Sequence, residues 1–260
     1  MSRFLSTGIH VVDTVVSWWF QTTCCLCGRS SGSETLCEEC VRSFALVGGP
    51  RCNTCGVNTT QPILRCGECE IASPPWEMAR SLLWLNDSGK ALIHFVKYGS
   101  RVSLLRWFHP LVLGFDFSEY PKNLTVVPVP MHWKRWVERG FNQSEILADW
   151  IAQKNRWEFS DGLKKVAKTP AQSSLSRRQR QKNLNRVFSW KGTLVPKQVL
   201  LVDDVLTTGA TLRSCSAALK KAGCEKIWVW TLFRAPGWNS SPALAEIGRV
   251  AREGTLPESG

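Results

Sequence analysis

Short apolar runs alternate with amphipathic stretches along most of the chain after residue 76. Four runs bounded by polar or turn residues predict buried strands, namely Ala79–Leu85, Leu124–Val129, Gln198–Val202 and Ile227–Phe233. Stretches with apolar residues at helical spacing predict helices, namely Ser88–Phe95, Val102–Leu113, Asn142–Lys154 and Thr211–Ala222, the last with Gly223 as its C-cap. Strands that alternate with helices are typical of a parallel sheet covered by helices, so the sequence predicts an α/β fold.

Other segments have a less regular pattern. A basic, Trp-rich stretch over Pro128–Gly140 is interpreted as a loop, and Lys164–Ala167 as a possible strand. Ser174–Leu184 is polar and basic and is either a helix or a loop. Ser73-Pro74-Pro75 forms a stiff break, which divides an N-terminal module (residues 21–75) from the α/β domain (residues 76–236).

The two ends of the chain are predicted to lie outside these domains. Ile9, Val12, Val16 and Trp19 fall at helical spacing and predict a short helix within residues 1–20. This segment lacks the features of a secretory signal, and no run approaches the roughly 20 apolar residues of a membrane span. We therefore expect a cytoplasmic protein without membrane insertion. Small and polar residues predict a flexible tail over residues 237–260.

The charge of the chain is concentrated in one segment. Of the 260 residues, 43% are hydrophobic and 21% are charged, which excludes a disordered or fibrous protein. The net charge is +12, and ten of the 33 basic residues lie between Gly162 and Val202, where no acidic residue occurs. The rest of the chain has 23 basic and 21 acidic residues. The basic segment is either a solvated surface or a mobile loop that binds phosphates or a nucleic-acid backbone.

The N-terminal module has the cysteine spacing of a zinc-binding protein. Eight of the eleven cysteines form four C-x-x-C pairs, namely Cys24/Cys27, Cys37/Cys40, Cys52/Cys55 and Cys66/Cys69. Two such pairs supply the four thiolates of a tetrahedral structural zinc, so four pairs predict two zinc ions. Disulfides or an iron–sulfur cluster are the alternatives.

The order in which the pairs combine follows from loop length. Only nine and ten residues separate the two pairs of each half, and short loops close at a lower entropic cost, so we favour sequential pairing over an interleaved one. Cys25 is an alternative to Cys24 as a ligand. Cys215 and Cys224 lie in apolar surroundings and are predicted to be small core residues.

The segment with the clearest chemistry is Val199–Leu212, with the sequence VLLVDDVLTTGATL. An apolar strand is followed by two acids, Asp203 and Asp204, and then by a Thr- and Gly-rich turn into a helix. Backbone N–H groups and threonine hydroxyls at a helix N-terminus bind phosphate. The carboxylates repel a second phosphate but accept hydrogen bonds from ribose hydroxyls. The expected ligand is therefore a sugar phosphate. The alternative is a strand and helix whose acids only cap the helix.

This segment resembles the phosphoribosyl pyrophosphate (PRPP) motif of the type I phosphoribosyltransferases. The stretch VVPVPMHWKRWVERGFNQSEILA (Val126–Ala148) and the later Gln172, Leu175-Ser176-Arg177, Arg180 and Asn183 resemble the ComF/GntX family. In that family a cysteine-rich zinc module precedes a phosphoribosyltransferase-like domain, and the family is associated with natural transformation and the use of external DNA. The resemblance covers about residues 24–235 and implies a type I phosphoribosyltransferase fold preceded by a double zinc ribbon.

The resemblance also implies roles for individual residues. Asp203 and Asp204 would hold the ribose hydroxyls, and Val205, Leu206, Thr207, Thr208, Gly209, Ala210 and Thr211 would form the site of the 5′-phosphate. Arg139, Arg135 and Lys134 would bind pyrophosphate together with Mg²⁺, although a solvated turn explains Lys134 and Arg135 equally well. Arg177, Arg178 and Arg180 would belong to a closing lid. We interpret Asn142 and Gln143 as helix caps, and Lys97 as a helix-surface lysine, with a lysine that faces the site as the alternative.

Two functions of different classes remain open at this point. The first is an enzyme that transfers phosphoribose to, or from, an unknown base or related acceptor. The second is a non-catalytic PRPP- or nucleotide-binding adaptor that binds single-stranded DNA, with Phe188 and Trp190 as stacking surfaces, or a helicase-type competence protein. A fold alone does not decide between them.

Overall fold

A computed structural model describes residues 23–31, 35–99, 102–166 and 187–236. The predicted helix within residues 1–20, the predicted tail and the segment around Arg177 lie outside these ranges. The strands are β1 (Met78–Trp84), β2 (Thr125–Pro128), β3 (Glu158–Phe159), β4 (Leu163–Lys165), β5 (Phe188–Trp190), β6 (Gln198–Leu206) and β7 (Lys226–Arg234). The α-helices are α1 (Glu38–Arg42), α2 (Gly67–Ile71), α3 (Asp87–Tyr98), α4 (His109–Gly114), α5 (Trp133–Arg139), α6 (Gln143–Asn155) and α7 (Ala210–Ala222).

The main sheet is parallel, as the alternation of strands and helices predicts. Five strands are ordered β1-β7-β6-β2-β3, and a separate antiparallel hairpin joins β4 to β5. The central strand β6 pairs with β7 from Gln198 to Leu206, with Asp203 opposite Thr231. It therefore extends beyond the predicted end at Val202, and both aspartates lie inside the strand rather than after it.

Alternate residues of β6 pack on opposite faces of the sheet. Leu200 and Val202 belong to a core that includes Leu92 of α3 and Leu147 of α6. On the other face, Val199 and Leu201 pack in a core that includes Leu212, Cys215 and Leu219 of α7. Because both faces are covered, the strand is a continuous apolar run. Cys215 and Cys224 are buried, as predicted.

Three local predictions were wrong. The segment interpreted as a basic loop contains helix α5, at whose start the His132 side chain accepts a hydrogen bond from the Lys134 N–H. Trp133, Trp136 and Val137 do fall at helical spacing, but none of the residues of α5 is buried, so these side chains face no core. Helix α3 is capped by Asn86, which accepts from the Gly89 N–H at 2.9 Å, rather than by Ser88. The predicted helix over Val102–Leu113 is a 3₁₀ helix (Val102–Phe108) followed by α4, which has Pro110 in its first turn.

The cysteine-rich module packs against the α/β domain. Leu36 and Cys40 belong to the core that also contains Phe108 and Phe233. Cys52, Cys55 and Cys69 form a smaller cluster of their own. In the described residues, no helix has the length and apolar character needed to cross a membrane.

Candidate functional site

The turn between β6 and α7 has the geometry of a phosphate-binding loop. Gly209 has φ +73°, a left-handed conformation that favours glycine, and it precedes the first residue of the 13-residue helix α7. No side chain caps this helix, so the N–H groups of its first turn keep their capacity to bind an anion. Thr207, Thr208 and Thr211 are exposed around this turn. The loop can therefore surround a phosphate with backbone and hydroxyl donors.

The carboxylate of Asp203 is held by two neighbours. Its Oδ1 accepts hydrogen bonds from the Ser144 hydroxyl and from the Asp204 N–H, both at 2.9 Å. Burial, followed by the negative charge of Asp204, raises the pKa of Asp203 to about 7. Ser144 was not predicted from the sequence as a site residue, although it directly follows the motif Arg139–Gln143. Two adjacent carboxyl groups therefore stand at the end of the strand, and one of them titrates near physiological pH.

The negative charge of Asp204 is balanced by a lysine of helix α3. Lys97 Nζ at the end of α3 lies 2.7 Å from Asp204 Oδ2, with side-chain exposures of 28% and 10%. This oxygen has no partner with hydrogen-bond geometry among the described residues, so the contact acts through charge. The interpretation of Lys97 as a helix-surface lysine was therefore wrong. Its position in the sequence, about 100 residues before Asp204, gave no signal of this pairing.

Arg139 approaches the same region from α5. Its guanidinium carbon lies 5.4 Å from the ring centroid of Tyr98, the residue next to Lys97. The interpretation of Asn142 as a helix cap agrees with the structure, because its side chain accepts from the Ser144 N–H at 3.2 Å and donates to the Val129 carbonyl. Gln143 is the first residue of α6 and is buried. The motif thus joins the end of α5, which carries Arg139, to the first turn of α6, which carries Ser144.

A pocket of about 470 Å³ lies beside the end of β2. Its lining includes Trp133, Trp136 and Val137 of α5 and Lys164 and Lys165 of the β4 strand. The three α5 side chains are 63%, 50% and 66% exposed, which is high for large apolar residues. Val129, which follows β2, donates its N–H to the Val202 carbonyl, so the pocket begins next to the residue before Asp203. The pocket thus lies beside β2, the strand that neighbours β6, and its lining residues come from elements other than β6.

Lys134 and Arg135 lie on the exposed side of α5. The Lys134 ammonium is 5.6 Å from the ring centroid of Trp133. Burial, with a further contribution from the charge of Arg135, lowers the pKa of Lys165. The charges of Arg135 and Lys165 therefore repel each other, and an anionic ligand beside them would relieve this repulsion. The pocket lining also includes Glu145 and Asp161, and Asp161 pairs with Lys164.

Of the two predicted nucleic-acid contacts, the structure excludes one. Phe188 is buried in the core. The indole of Trp190 covers Gly162 and Gly192, where a Cβ would lie 2.7 and 2.8 Å from its ring, and its N–H donates to the Leu194 carbonyl. Phe188 is therefore not a stacking surface, whereas Trp190, which is half-buried, stays a prediction. Arg177, Arg178 and Arg180 lie outside the described residues.

The eight paired cysteines form two clusters. The Sγ atoms of Cys24, Cys27, Cys37 and Cys40, and those of Cys52, Cys55, Cys66 and Cys69, lie within 4.8 Å of one another in each group. This is the sequential grouping that we predicted, and Cys24 rather than Cys25 belongs to the first cluster.

The geometry of both clusters fits zinc. Sulfurs at the corners of a tetrahedron with Zn–S bonds of about 2.3 Å are about 3.8 Å apart. The observed separations are 3.7 Å for Cys27–Cys37, 3.6 Å for Cys55–Cys66 and 4.0 Å for Cys52–Cys69. Both clusters are therefore four-cysteine sites of the zinc-ribbon type, suited to a structural zinc.

Comparison with protein families gives the same two parts. The model of the double zinc ribbon domain matches residues 15–70, and the model of the phosphoribosyl transferase domain matches residues 160–240. The fold and the site thus define a phosphoribosyltransferase-type α/β domain that follows a double zinc ribbon.

The relatives of the chain identify its family. Competence protein F of Haemophilus influenzae is 31% identical over 212 residues, which cover 76% of this chain and 89% of that protein. DNA utilization protein YhgH of Escherichia coli is 28% identical over 225 residues (81% and 96%), and competence protein ComFC of Streptococcus pneumoniae is 27% identical over 227 residues (81% and 99%). The chain belongs to this family of competence and DNA-utilization proteins, which confirms the resemblance inferred from its motifs.

Proposed function

We propose that the chain binds PRPP with Mg²⁺ at the ends of β2 and β6 and transfers phosphoribose to, or from, a base-like acceptor. One observation carries this proposal. Two adjacent carboxylates, one paired with Lys97 and one bonded to Ser144, lie near the end of β6, and five residues after Asp204 the chain turns through Gly209 into a helix that no side chain of the described residues caps. A site that binds only phosphate has no need of carboxylates, whereas a ribose phosphate presents hydroxyls and an anion a few ångströms apart.

The two parts of the ligand would be recognised by different chemistry. The ionised carboxylates of Asp203 and Asp204 accept hydrogen bonds from the ribose hydroxyls, which stabilise by roughly 1.5–3 kcal/mol each. The segment from Val205 to Thr211 would bind the 5′-phosphate through its N–H groups and threonine hydroxyls. Ribose hydroxyls that donate to Asp203 would also favour its ionised form and lower its pKa.

The transfer step requires stabilisation of a highly charged leaving group. The bond between C1 of the ribose and the pyrophosphate oxygen breaks, and the electron pair leaves with pyrophosphate. A lone pair of the acceptor forms the new bond to C1, and the acceptor loses a proton to solvent. Mg²⁺ would enter as part of the PRPP substrate, and the carboxylate oxygens of Asp203 and Asp204 are of the type it prefers. Arg139 and Arg135 would neutralise pyrophosphate, with Lys134 at the rim.

The acceptor would occupy the pocket beside β2. Trp133 and Trp136 offer aromatic faces for a planar ring, and Lys164 and Lys165 offer donors and positive charge. A volume of about 470 Å³ suits a base or a small nucleotide. Arg177, Arg178 and Arg180 would close over pyrophosphate as a lid, which excludes water from the reacting C1 centre. Hydrogen exchange of this segment with and without Mg²⁺–PRPP tests the lid, since closure protects its amides.

Calorimetry with Mg²⁺–PRPP and with ribose 5-phosphate tests the binding site. The double variant Asp203→Asn with Asp204→Asn keeps the shape of both side chains and removes their charge. Loss of the stronger hydrogen bonds should weaken both ligands at least about tenfold, since 1.4 kcal/mol corresponds to one decade. Inorganic phosphate should bind no more weakly, because negative charge near the loop is reduced.

The matched control is Asp149→Asn, a change of the same type at an exposed residue of α6 whose side chain contacts Gln153. It should leave all three affinities unchanged. If the double variant binds PRPP as tightly as the unaltered protein, the aspartates do not recognise ribose, and the turn is only the start of a helix.

The alternative function is a non-catalytic adaptor that binds PRPP or a nucleotide and single-stranded DNA. Helix α5 favours the adaptor, because exposed Trp133 and Trp136 flank Lys134 and Arg135. This combination suits base stacking and phosphate contacts. A pyrophosphate-release screen over nucleobases separates the two functions. Release that depends on one acceptor supports the enzyme. Binding of PRPP without release, together with salt-dependent binding of an oligothymidylate that Trp136→Ala abolishes, supports the adaptor.

A further inference from the structure

The second four-cysteine cluster is attached to the sheet beside the phosphate loop. Arg234, the last residue of β7, donates to the Cys55 carbonyl, and its Nη2 lies 3.9 Å from Cys55 Sγ. The Ala79 N–H of β1 donates to the Thr54 carbonyl at 2.9 Å. Gly56 has φ +73°, and a Cβ there would lie 2.6 Å from the Ala79 carbonyl oxygen. The C-x-x-C turn of this cluster is thus seated directly on the strands that frame the site.

Trp76 lies between this turn and the phosphate loop. Its indole N–H donates to the Thr54 carbonyl at 3.2 Å. At the other end of the ring, a Cβ on Gly209 would lie 3.2 Å from Cη2 and 3.9 Å from Cζ2 of Trp76. The side chain is 5% exposed. One buried ring therefore touches the backbone between Cys52 and Cys55 and also supports the left-handed residue of the phosphate loop.

Arg213 holds the ring from the side of α7. Its guanidinium carbon is 5.4 Å from the ring centroid of Trp76, and it donates to the carbonyls of Ala72 at 2.8 Å and Ser73 at 3.0 Å. Ala72 directly follows α2, the helix that carries Cys69. Helix α7 and the C-terminal end of the second ribbon are therefore joined directly by Arg213, which also packs on the Trp76 ring.

We propose that Trp76 is a positioning residue through which metal occupancy of the second four-cysteine cluster and ribose-phosphate binding at the Thr207–Thr211 loop are coupled. The proposal rests on the proposed function for the ligand of the loop. Loss of the metal frees the Cys52–Cys55 turn, Thr54 no longer holds the indole N–H, and Gly209 loses the surface beneath it. Because coupling between two sites is reciprocal, a ligand in the loop must in turn hold the metal more tightly.

The first four-cysteine cluster provides an internal comparison. It is also linked to the α/β domain by a tryptophan, since the Trp107 N–H donates to Thr35 Oγ1 at 3.1 Å. Trp107 belongs to the 3₁₀ helix and packs against the core of the opposite sheet face from α7. Trp107→Phe removes the same kind of hydrogen bond from the first ribbon and leaves the phosphate loop untouched. It is the matched control for Trp76→Phe, which removes both the N–H and the benzo-ring contact with Gly209.

Zinc release to a chromogenic chelator, with and without ribose 5-phosphate, tests the coupling. At equilibrium with the chelator, we expect the ligand to raise the affinity of the unaltered protein for one of two zinc equivalents at least about fivefold, within the usual range of coupling between sites. Trp76→Phe should abolish this dependence, and Trp107→Phe should retain it. Ligand protection that persists unchanged in Trp76→Phe overturns the proposal, as does the absence of protection in unaltered protein that binds the ligand.

Hydrogen exchange of the loop amides separates this inference from the proposed function. Removal of metal from the second cluster should speed exchange at residues 206–211 in the absence of any ligand, and Trp76→Phe should already show the faster exchange with both metals bound. If ribose 5-phosphate and PRPP fail to bind, the proposed function is wrong, while the exchange result still decides the coupling. Unchanged loop exchange after metal removal overturns it.

Discussion

Replacing Asp203 by asparagine should stabilise the protein above neutral pH. The carboxylate is held by hydrogen bonds to its Oδ1 from the Ser144 hydroxyl and the Asp204 N–H, and an asparagine Oδ1 can accept both, although more weakly than an ionised carboxylate. The substitution therefore removes the charge and keeps the contacts. Burial and the adjacent Asp204 disfavour that charge and raise the pKa of Asp203 to about 7, whereas an unfolded chain ionises at about 3.9.

The sign and size of the effect follow from these pKa values. The folded state binds the proton more tightly than the unfolded state, so Asp203 destabilises the fold progressively as the pH rises from about 4 to about 7. Three pKa units correspond to at most about 4 kcal/mol at 1.36 kcal/mol per unit, and partial solvent contact of the site reduces this to about 2 kcal/mol. At pH 8 the Asp203→Asn variant should be more stable by that amount, and at pH 4 the two proteins should be equal.

Thermal unfolding of zinc-loaded protein between pH 5 and pH 8 measures the difference. For a chain of this size, about 2 kcal/mol corresponds to a rise in Tm of about 4–8 °C at pH 8. Asp149→Asn, an exposed control on α6, should follow the unaltered protein at every pH. A variant that is less stable at pH 8, or whose advantage is independent of pH, would show that the Asp203 carboxylate is not held against an unfavourable environment. The Asp203→Asn variant should therefore be more stable and bind ribose phosphates more weakly, as expected when a binding site lowers the stability of the fold.

Three further predictions concern neighbouring parts of the molecule. Lys97→Met leaves the Asp204 carboxylate without its cation and should destabilise the protein by about 2 kcal/mol at pH 7, measured by urea titration. The control Lys90→Met, which breaks an exposed pair with Asp87, should destabilise it by less than about 1 kcal/mol. Gly209→Ala forces a left-handed alanine against Trp76 and should lose about 1–2 kcal/mol together with phosphate binding by calorimetry; normal phosphate affinity would contradict the role of this turn. Elemental analysis should find two zinc ions per chain, and one zinc, or iron, would contradict the ligand assignment.

Parts of this protein that depend on residues close together in the chain were predictable. Four strands of the main sheet were predicted because strands buried on both faces are continuous apolar runs, and β1, β2, β6 and β7 are of this kind. The short strands β3 and β5 were not predicted, and β6 extends four residues beyond its predicted end. The C-x-x-C spacing alone predicted two four-cysteine clusters in sequential order, because each cluster closes short loops. The turn from β6 into α7 was predictable for the same reason, because the strand, the two acids, Gly209 and the start of the helix follow one another closely in the sequence.

The tertiary structure decided which distant groups complete the site. Lys97 reaches Asp204 across 107 positions of sequence, and Ser144 reaches Asp203 across 59. In the sequence, Lys97 looks like an ordinary helix lysine and Ser144 like a serine after a helix cap. The partner that gives each residue its role lies on another element, so the local sequence does not reveal that role. Helix α5 was missed although Trp133, Trp136 and Val137 fall at helical spacing, because its segment was interpreted as a basic loop. The Trp76 contacts were missed because they join the zinc ribbon to a loop more than 130 residues later. Local structure depends on residues that are neighbours in the chain, so the sequence predicts it. Contacts between distant elements form only when the strands and helices have assembled.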